Sequence, residues 1–102
     1  VLAGAPMAIR VPTDSGRPHD IYRCPTCQIV VWSVYGGRTS IRFVRVGTLD
    51  EPAAFPPDIH IYTRSKQPWV TLPAGVPAFE AYYDAKKVWP AASLERRRAV
   101  LG

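Results

Sequence analysis

Cysteine is nearly absent from this chain: Cys24 and Cys27 are the only two among 102 residues. So few thiols exclude the disulfide framework on which small secreted domains depend, and a reduced, cytoplasmic setting is expected. Long apolar runs are missing as well. Nothing approaches the roughly 18 consecutive apolar residues of a membrane-spanning helix, so no membrane partner is expected. There is no glycine-rich phosphate loop and no serine in a nucleophile elbow, which removes two common signatures of nucleotide binding and hydrolysis. The segment Val1-Leu2-Ala3-Gly4-Ala5-Pro6 lacks the charged start and long apolar core of a signal peptide. Val1 is not an initiator methionine, and the chain is expected to be a piece of something longer. Internal repeats and low-complexity stretches are absent too.

Proline, by contrast, is abundant. The 11 prolines are about twice the usual share and cut the chain into short pieces, which favours strands and loops over long helices. Apolar residues make up 47% and charged residues 21%, a globular composition, and the length suits one domain spanning residues 1–102. The expected fold class is mainly β. The formal net charge of +5 permits weak attraction to acidic ligands, but most arginines are scattered. Only Arg96-Arg97-Arg98 cluster, and a solvated helix face is the expected reading there, so nucleic acid is not expected as a partner.

Along the chain, Met7 to Val11 reads as a short strand, followed by a turn at Thr13-Asp14-Ser15-Gly16-Arg17-Pro18. A second strand from Asp20 to Arg23 leads straight into Cys24, and the β-branched and aromatic run Ile29 to Tyr35 follows. Gly36-Gly37 reads as a hairpin turn with a returning strand over Thr39 to Val46, where the shift of phase at Val44-Arg45-Val46 suggests a bulge. Asp58 to Thr63 and Trp69 to Leu72 are two further strand candidates. A helix is expected after Pro90, with Ala91, Leu94 and Leu101 in one stripe and Gly102 at its end.

The sequence is organised around Cys24-Pro25-Thr26-Cys27. A C-x-x-C turn lets two thiolates reach one ion from a single loop, so it reads as half of a tetrahedral zinc site. A redox pair is the competing reading, but that chemistry favours a cysteine at a helix N-terminus, whereas a strand pattern follows here. Two unrelated thiols are the third. His19 and His60 are the only other soft ligands, and both are expected to stand outside the site: His19 as an exposed loop residue, His60 packed in a strand. Asp50 reads as a turn residue capping its own backbone. Trp32, Trp69 and Trp89 read as core or pocket wall, and Arg42 to Arg45, basic residues with interleaved aromatics, read equally as a sheet face or as a surface that stacks single-stranded nucleic acid.

Several blocks together carry a resemblance: Tyr22-Arg23-Cys24-Pro25-Thr26-Cys27-Gln28, Val31-Trp32-Ser33, Val46-Gly47-Thr48-Leu49-Asp50-Glu51-Pro52, His60-Ile61-Tyr62-Thr63-Arg64-Ser65-Lys66 and Pro68-Trp69-Val70. In this order and spacing they resemble the glutathione-dependent formaldehyde-activating enzyme (GFA) family, which includes centromere protein V. The resemblance runs from about Val11 to the C-terminal helix. It implies an Mss4-like, β-rich zinc fold, here incomplete because its N-terminal part is absent, with a short C-terminal helix. In that family an upstream C-x-C pair joins the later C-x-x-C in a four-cysteine structural zinc site. A separate cysteine cluster holds a catalytic zinc for joining the glutathione thiol to formaldehyde, a carbon–sulfur lyase chemistry.

Only the later motif is present, so Cys24 and Cys27 carry over as structural zinc ligands and no catalytic residue is assigned. The implied cofactor is zinc, and the implied partner of a complete protein is a small-molecule thiol or aldehyde adduct. A homodimer covering the edge left by missing strands is a further expectation. The alternative is a non-enzymatic zinc-binding or interaction module with weak nucleic-acid affinity.

Overall fold

In the computed structural model the chain forms two compact units, Val1–Pro52 and Ala53–Gly102, and the structure describes residues 3–101. The first unit is an antiparallel meander of β1 (Met7–Val11), β2 (His19–Arg23), β3 (Val30–Tyr35) and β4 (Phe43–Val44), paired in that order. The mainly β expectation holds. Across the sheet Ile9 faces Ile21, Ile21 faces Ser33, and Ser33 faces Phe43.

The first three strands stand within a residue or so of where the sequence places them, β3 as a β-branched and aromatic run. Between β1 and β2, the Gly16 N–H donates to the Thr13 carbonyl at 3.1 Å and the Thr13 hydroxyl to the Arg17 carbonyl at 2.6 Å. Opposite each other on β1 and β2, Arg10 and Asp20 make a two-pronged pair at 2.8 and 3.0 Å. The Arg10 guanidinium holds the Asp20 carboxyl below its usual range.

Burial concentrates on β3, flanked on both sides by strands: Ser33 is fully buried and Val34 is 3% exposed. The Ser33 hydroxyl lies 3.0 Å from His19 Nε2 and accepts from Arg45 Nη2 at 3.3 Å. One buried hydroxyl thereby ties β2 and the end of β4 to the central strand.

The returning strand is shorter than the expected Thr39 to Val46. Gly36 and Gly37 both take left-handed backbone, φ 63° and 71°, and the Arg38 N–H closes the turn on the Tyr35 carbonyl at 3.2 Å. A second turn follows at once, the Ile41 N–H donating to the Arg38 carbonyl at 3.3 Å, so pairing starts only at Phe43. It ends at Val44 because Val46–Thr48 coils into a 3-10 turn. The expected bulge lies elsewhere: the register slips between Tyr22 and Arg23, which face Trp32 and Val30 and leave Val31 unpaired with β2. Gly37→Val should destabilise the fold by about 1–2 kcal/mol, the ordinary cost of left-handed backbone for a residue with a Cβ. The urea midpoint checks this.

Neither later strand candidate forms a strand. In Asp58 to Thr63 only His60 bridges, in parallel with Ala78, and Tyr62 turns left-handed (φ 54°) into a 3-10 turn at Thr63–Ser65. The backbone bonds of this stretch go to a neighbouring loop instead, His60 N–H to the Pro77 carbonyl at 2.9 Å and Tyr62 N–H to Ala81 at 3.0 Å. Trp69 to Leu72 lies between Pro68 and Pro73, and the Val70 N–H bonds back to the Gln67 carbonyl at 3.0 Å, a turn. Trp69 is 78% exposed, not a pocket wall.

The second unit ends in α1 (Ala85–Val88) and α2 (Ala91–Leu101). Asp84 caps α1, its carboxylate accepting from the Lys86 N–H at 3.0 Å. Trp89 donates to the Tyr83 hydroxyl at 2.7 Å, and Tyr83 packs beside Phe79 and Tyr82. The carbonyl of Pro90 accepts the first α-helical bond of α2, from Leu94 at 3.1 Å. Of the expected stripe only Leu94 is half-buried, and Gly102 lies outside the described residues. Arg97 departs from the solvated cluster expected of it: it is half-buried, with its guanidinium 5.9 Å from the centre of the Trp89 ring. No helix among the described residues is long and apolar enough to cross a membrane.

Candidate metal half-site

The knuckle is the turn by which β2 becomes β3. Its base is closed by two backbone bonds of 2.9 Å, Cys24 N–H to the Ile29 carbonyl and Gln28 N–H to the Cys24 carbonyl. Pro25 fixes the backbone after Cys24, and Gln28 takes left-handed backbone at φ 67° to bring the chain round. The Gln28 amide donates to the Pro25 carbonyl at 3.3 Å, and Arg23 to the Gln28 carbonyl at 3.3 Å. Side chains as well as backbone therefore hold the loop.

Within the loop the neighbouring backbone N–H groups of Cys27 and then Thr26 hold the Cys24 thiol below the ordinary thiol range, helped by the Cys27 side chain. Donors that stabilise a thiolate suit a metal ligand, whose sulfur must be deprotonated to bind. Both cysteines are free; Cys24 is half-buried and Cys27 exposed. The donor set fits half of a zinc site. A turn and then β3 follow Cys24, so no helix dipole acts on it, and the lowering comes from local N–H groups rather than the geometry of redox C-x-x-C pairs.

Beside the knuckle lies an open, mainly apolar hollow of about 370 Å³, whose lining includes Cys24, Val31, Trp32, Arg42, Val44 and Leu49. Trp32 stacks on Tyr22 with ring centres 5.4 Å apart, and the Arg42 guanidinium sits 4.6 Å from the Trp32 ring centre. The indole N–H of Trp32 is buried with no hydrogen-bond partner. Arg42 and Arg45 are thus engaged within this unit, Arg42 over Trp32 and Arg45 on Ser33.

Within the first unit His19 stands apart from the thiols. His19 is the first residue of β2 and not an exposed loop residue; it is half-buried, its ring stacks on Tyr35 at 4.2 Å, and its Nε2 faces Ser33. Cys24 follows the opposite end of β2, about 16 Å away at the rise of an extended strand. His60 belongs to the second unit and is half-buried, with its Nε2 lacking a partner. Asp50 is exposed; the local turn is held by the Thr48 hydroxyl donating to the Arg45 carbonyl at 2.7 Å. Among the described residues no three or more His, Cys, Asp or Glu side chains group closely enough to hold a metal ion. Sequence reasoning missed Ser33 as a buried hydrogen-bonding centre, and a serine inside a strand carries no spacing signal that would have marked it.

A four-stranded antiparallel meander with a C-x-x-C knuckle between its second and third strands defines a β-rich module presenting two free thiols. Residues 1–65 match the family model described as glutathione-dependent formaldehyde-activating enzyme. The chain belongs to that family. No curated protein and no solved structure matches it significantly.

Proposed function

We propose that Cys24 and Cys27 are structural zinc ligands in a protein of the glutathione and formaldehyde class, holding the β2–β3 turn that carries the wall of the adjacent hollow. The knuckle carries this reading: a turn closed by the Cys24–Ile29 and Gln28–Cys24 backbone bonds presents two free thiols, Cys27 exposed beside Cys24, in a segment covered by the family match. The ion would cross-link the turn. The family's Mss4-like zinc fold and its joining of a thiol to an aldehyde carbon form the context of the proposal. The 102 residues contain no further cysteine, so a second, catalytic thiolate cluster is not built from them alone.

X-ray absorption at the zinc edge of the metal-loaded chain tests the ligand assignment. A sulfur shell near 2.3 Å, the usual zinc–thiolate distance, is expected, and it should vanish in Cys27→Ser. A shell of nitrogen and oxygen only would contradict it. In the same sample, formation of the glutathione–formaldehyde adduct, followed by NMR, should run at the uncatalysed rate. An acceleration abolished by Cys24→Ser would instead assign the chemistry to this knuckle.

A further inference from the structure

We infer that a second hollow, between α1 and α2, binds a soluble phosphate monoester carrying a small apolar group. The inference is independent of the zinc reading, because this hollow is built within the second unit from residues beyond the family match. It holds about 300 Å³ and is lined by Lys86 of α1 and by Leu94, Arg97, Arg98 and Leu101 of α2. The three later residues stand three, four and seven positions after Leu94, so the four form one stripe along the helix. A stripe turned toward a neighbouring element is ordinarily apolar throughout. Here two of its four positions are arginines, and a lysine of α1 borders the same hollow.

Three cations around one hollow repel one another, and no carboxylate on its wall balances them. Glu95 of α2 is not part of the lining, Asp84 is occupied as the cap of α1, and among the described residues no ion pair involves Lys86, Arg97 or Arg98. The Trp89 ring, 5.9 Å from the Arg97 guanidinium, steadies that half-buried side chain without adding negative charge. An anion supplies what is missing. Guanidinium groups donate paired N–H bonds in a planar fork that matches phosphate oxygens, and the lysine adds a further donor. Leu94, half-buried, and Leu101, 37% exposed, offer apolar surface beside the cations, which favours an ester over inorganic phosphate. The volume lies at the lower end for small-molecule sites and suits a ligand of that size. Lipid headgroups carry the same phosphate chemistry, but Arg97 and Arg98 interrupt the leucine stripe, and α2 has no continuous apolar face there to lay into a bilayer. The occupant is therefore a soluble ester.

Calorimetric titration of the chain with phenyl phosphate, and separately with inorganic phosphate, is the test. One phenyl phosphate per chain is expected, bound about tenfold or more tighter than inorganic phosphate, the effect of burying part of one ring. Arg97→Gln and Arg98→Gln should each raise the dissociation constant about tenfold or more, as loss of a charge-assisted hydrogen bond does. Arg98 is exposed, so its variant decides the matter even where Arg97→Gln disturbs the fold by far-ultraviolet circular dichroism. Arg96→Gln removes the same charge from the same helix but outside the lining, and should leave the constant within about twofold in 0.15 M salt, which screens exposed charges. An equal loss in Arg96→Gln would reduce the effect to general positive charge and overturn the site. Absence of saturable binding, or equal affinity for the two phosphates, would overturn it as well. Binding to phosphatidylcholine vesicles doped with phosphatidic acid that phenyl phosphate does not displace would overturn the soluble occupant.

Discussion

Val34→Asp is expected to unfold the meander. Val34 is 3% exposed on the central strand, so an aspartate there must either bury its charge or take up a proton. An isolated carboxylate deprived of water is among the most destabilising of single changes, at about 3 kcal/mol or more. A unit of this size has little stability in reserve. Loss of the far-ultraviolet β signal at 25 °C, or a urea midpoint near zero, is the expected readout. Val34→Ile, which adds one methylene and no charge, should stay folded. A Val34→Asp protein melting within a few degrees of the parent would show that β3 is not the core of the unit.

The second large effect concerns the metal. A ligand that binds the folded state alone stabilises it by mass action, by about 4 kcal/mol at a thousandfold excess over its dissociation constant. In a domain of about 60–100 residues, each kcal/mol raises the melting temperature by about 4–8 °C. Zinc is therefore expected to raise the melting temperature by about 15 °C or more, and EDTA to reverse the rise. Cys24→Ser should abolish the shift while melting near the metal-free parent, because a hydroxyl replaces the thiol with little change of shape but is a poor zinc ligand. A variant retaining the full shift would move the metal elsewhere.

The parts of the fold legible in the sequence are those set by local chemistry. β3 is a run of β-branched and aromatic residues, β1 and β2 are short segments bounded by turn formers or by the knuckle, and the knuckle announces itself by its two cysteines and Pro25. The parts that were not legible depend on partners far along the chain. Asp58 to Thr63 alternates like a strand, yet its backbone groups are taken by the Pro77–Ala81 loop and Tyr62 turns left-handed, so no ladder extends. Thr39 to Arg42 has strand-like residues but is spent on a second turn that nothing in the periodicity marks.

The site shows the same division. The cysteine spacing predicts a shared loop, and the loop is there. It does not predict that Ser33 would hold His19 and Arg45, or that Arg42 would lie over Trp32. Those engagements place Arg42, which borders the hollow, and Arg45 in contacts within the unit.

The central claim is that Cys24 and Cys27 hold zinc. Its most direct test is the zinc content of the chain purified without added metal, beside the Cys24→Ser/Cys27→Ser protein prepared in the same way. The account predicts bound zinc that survives dialysis in the parent and none in the double variant. Zinc absent from both, or present equally in both, would contradict it.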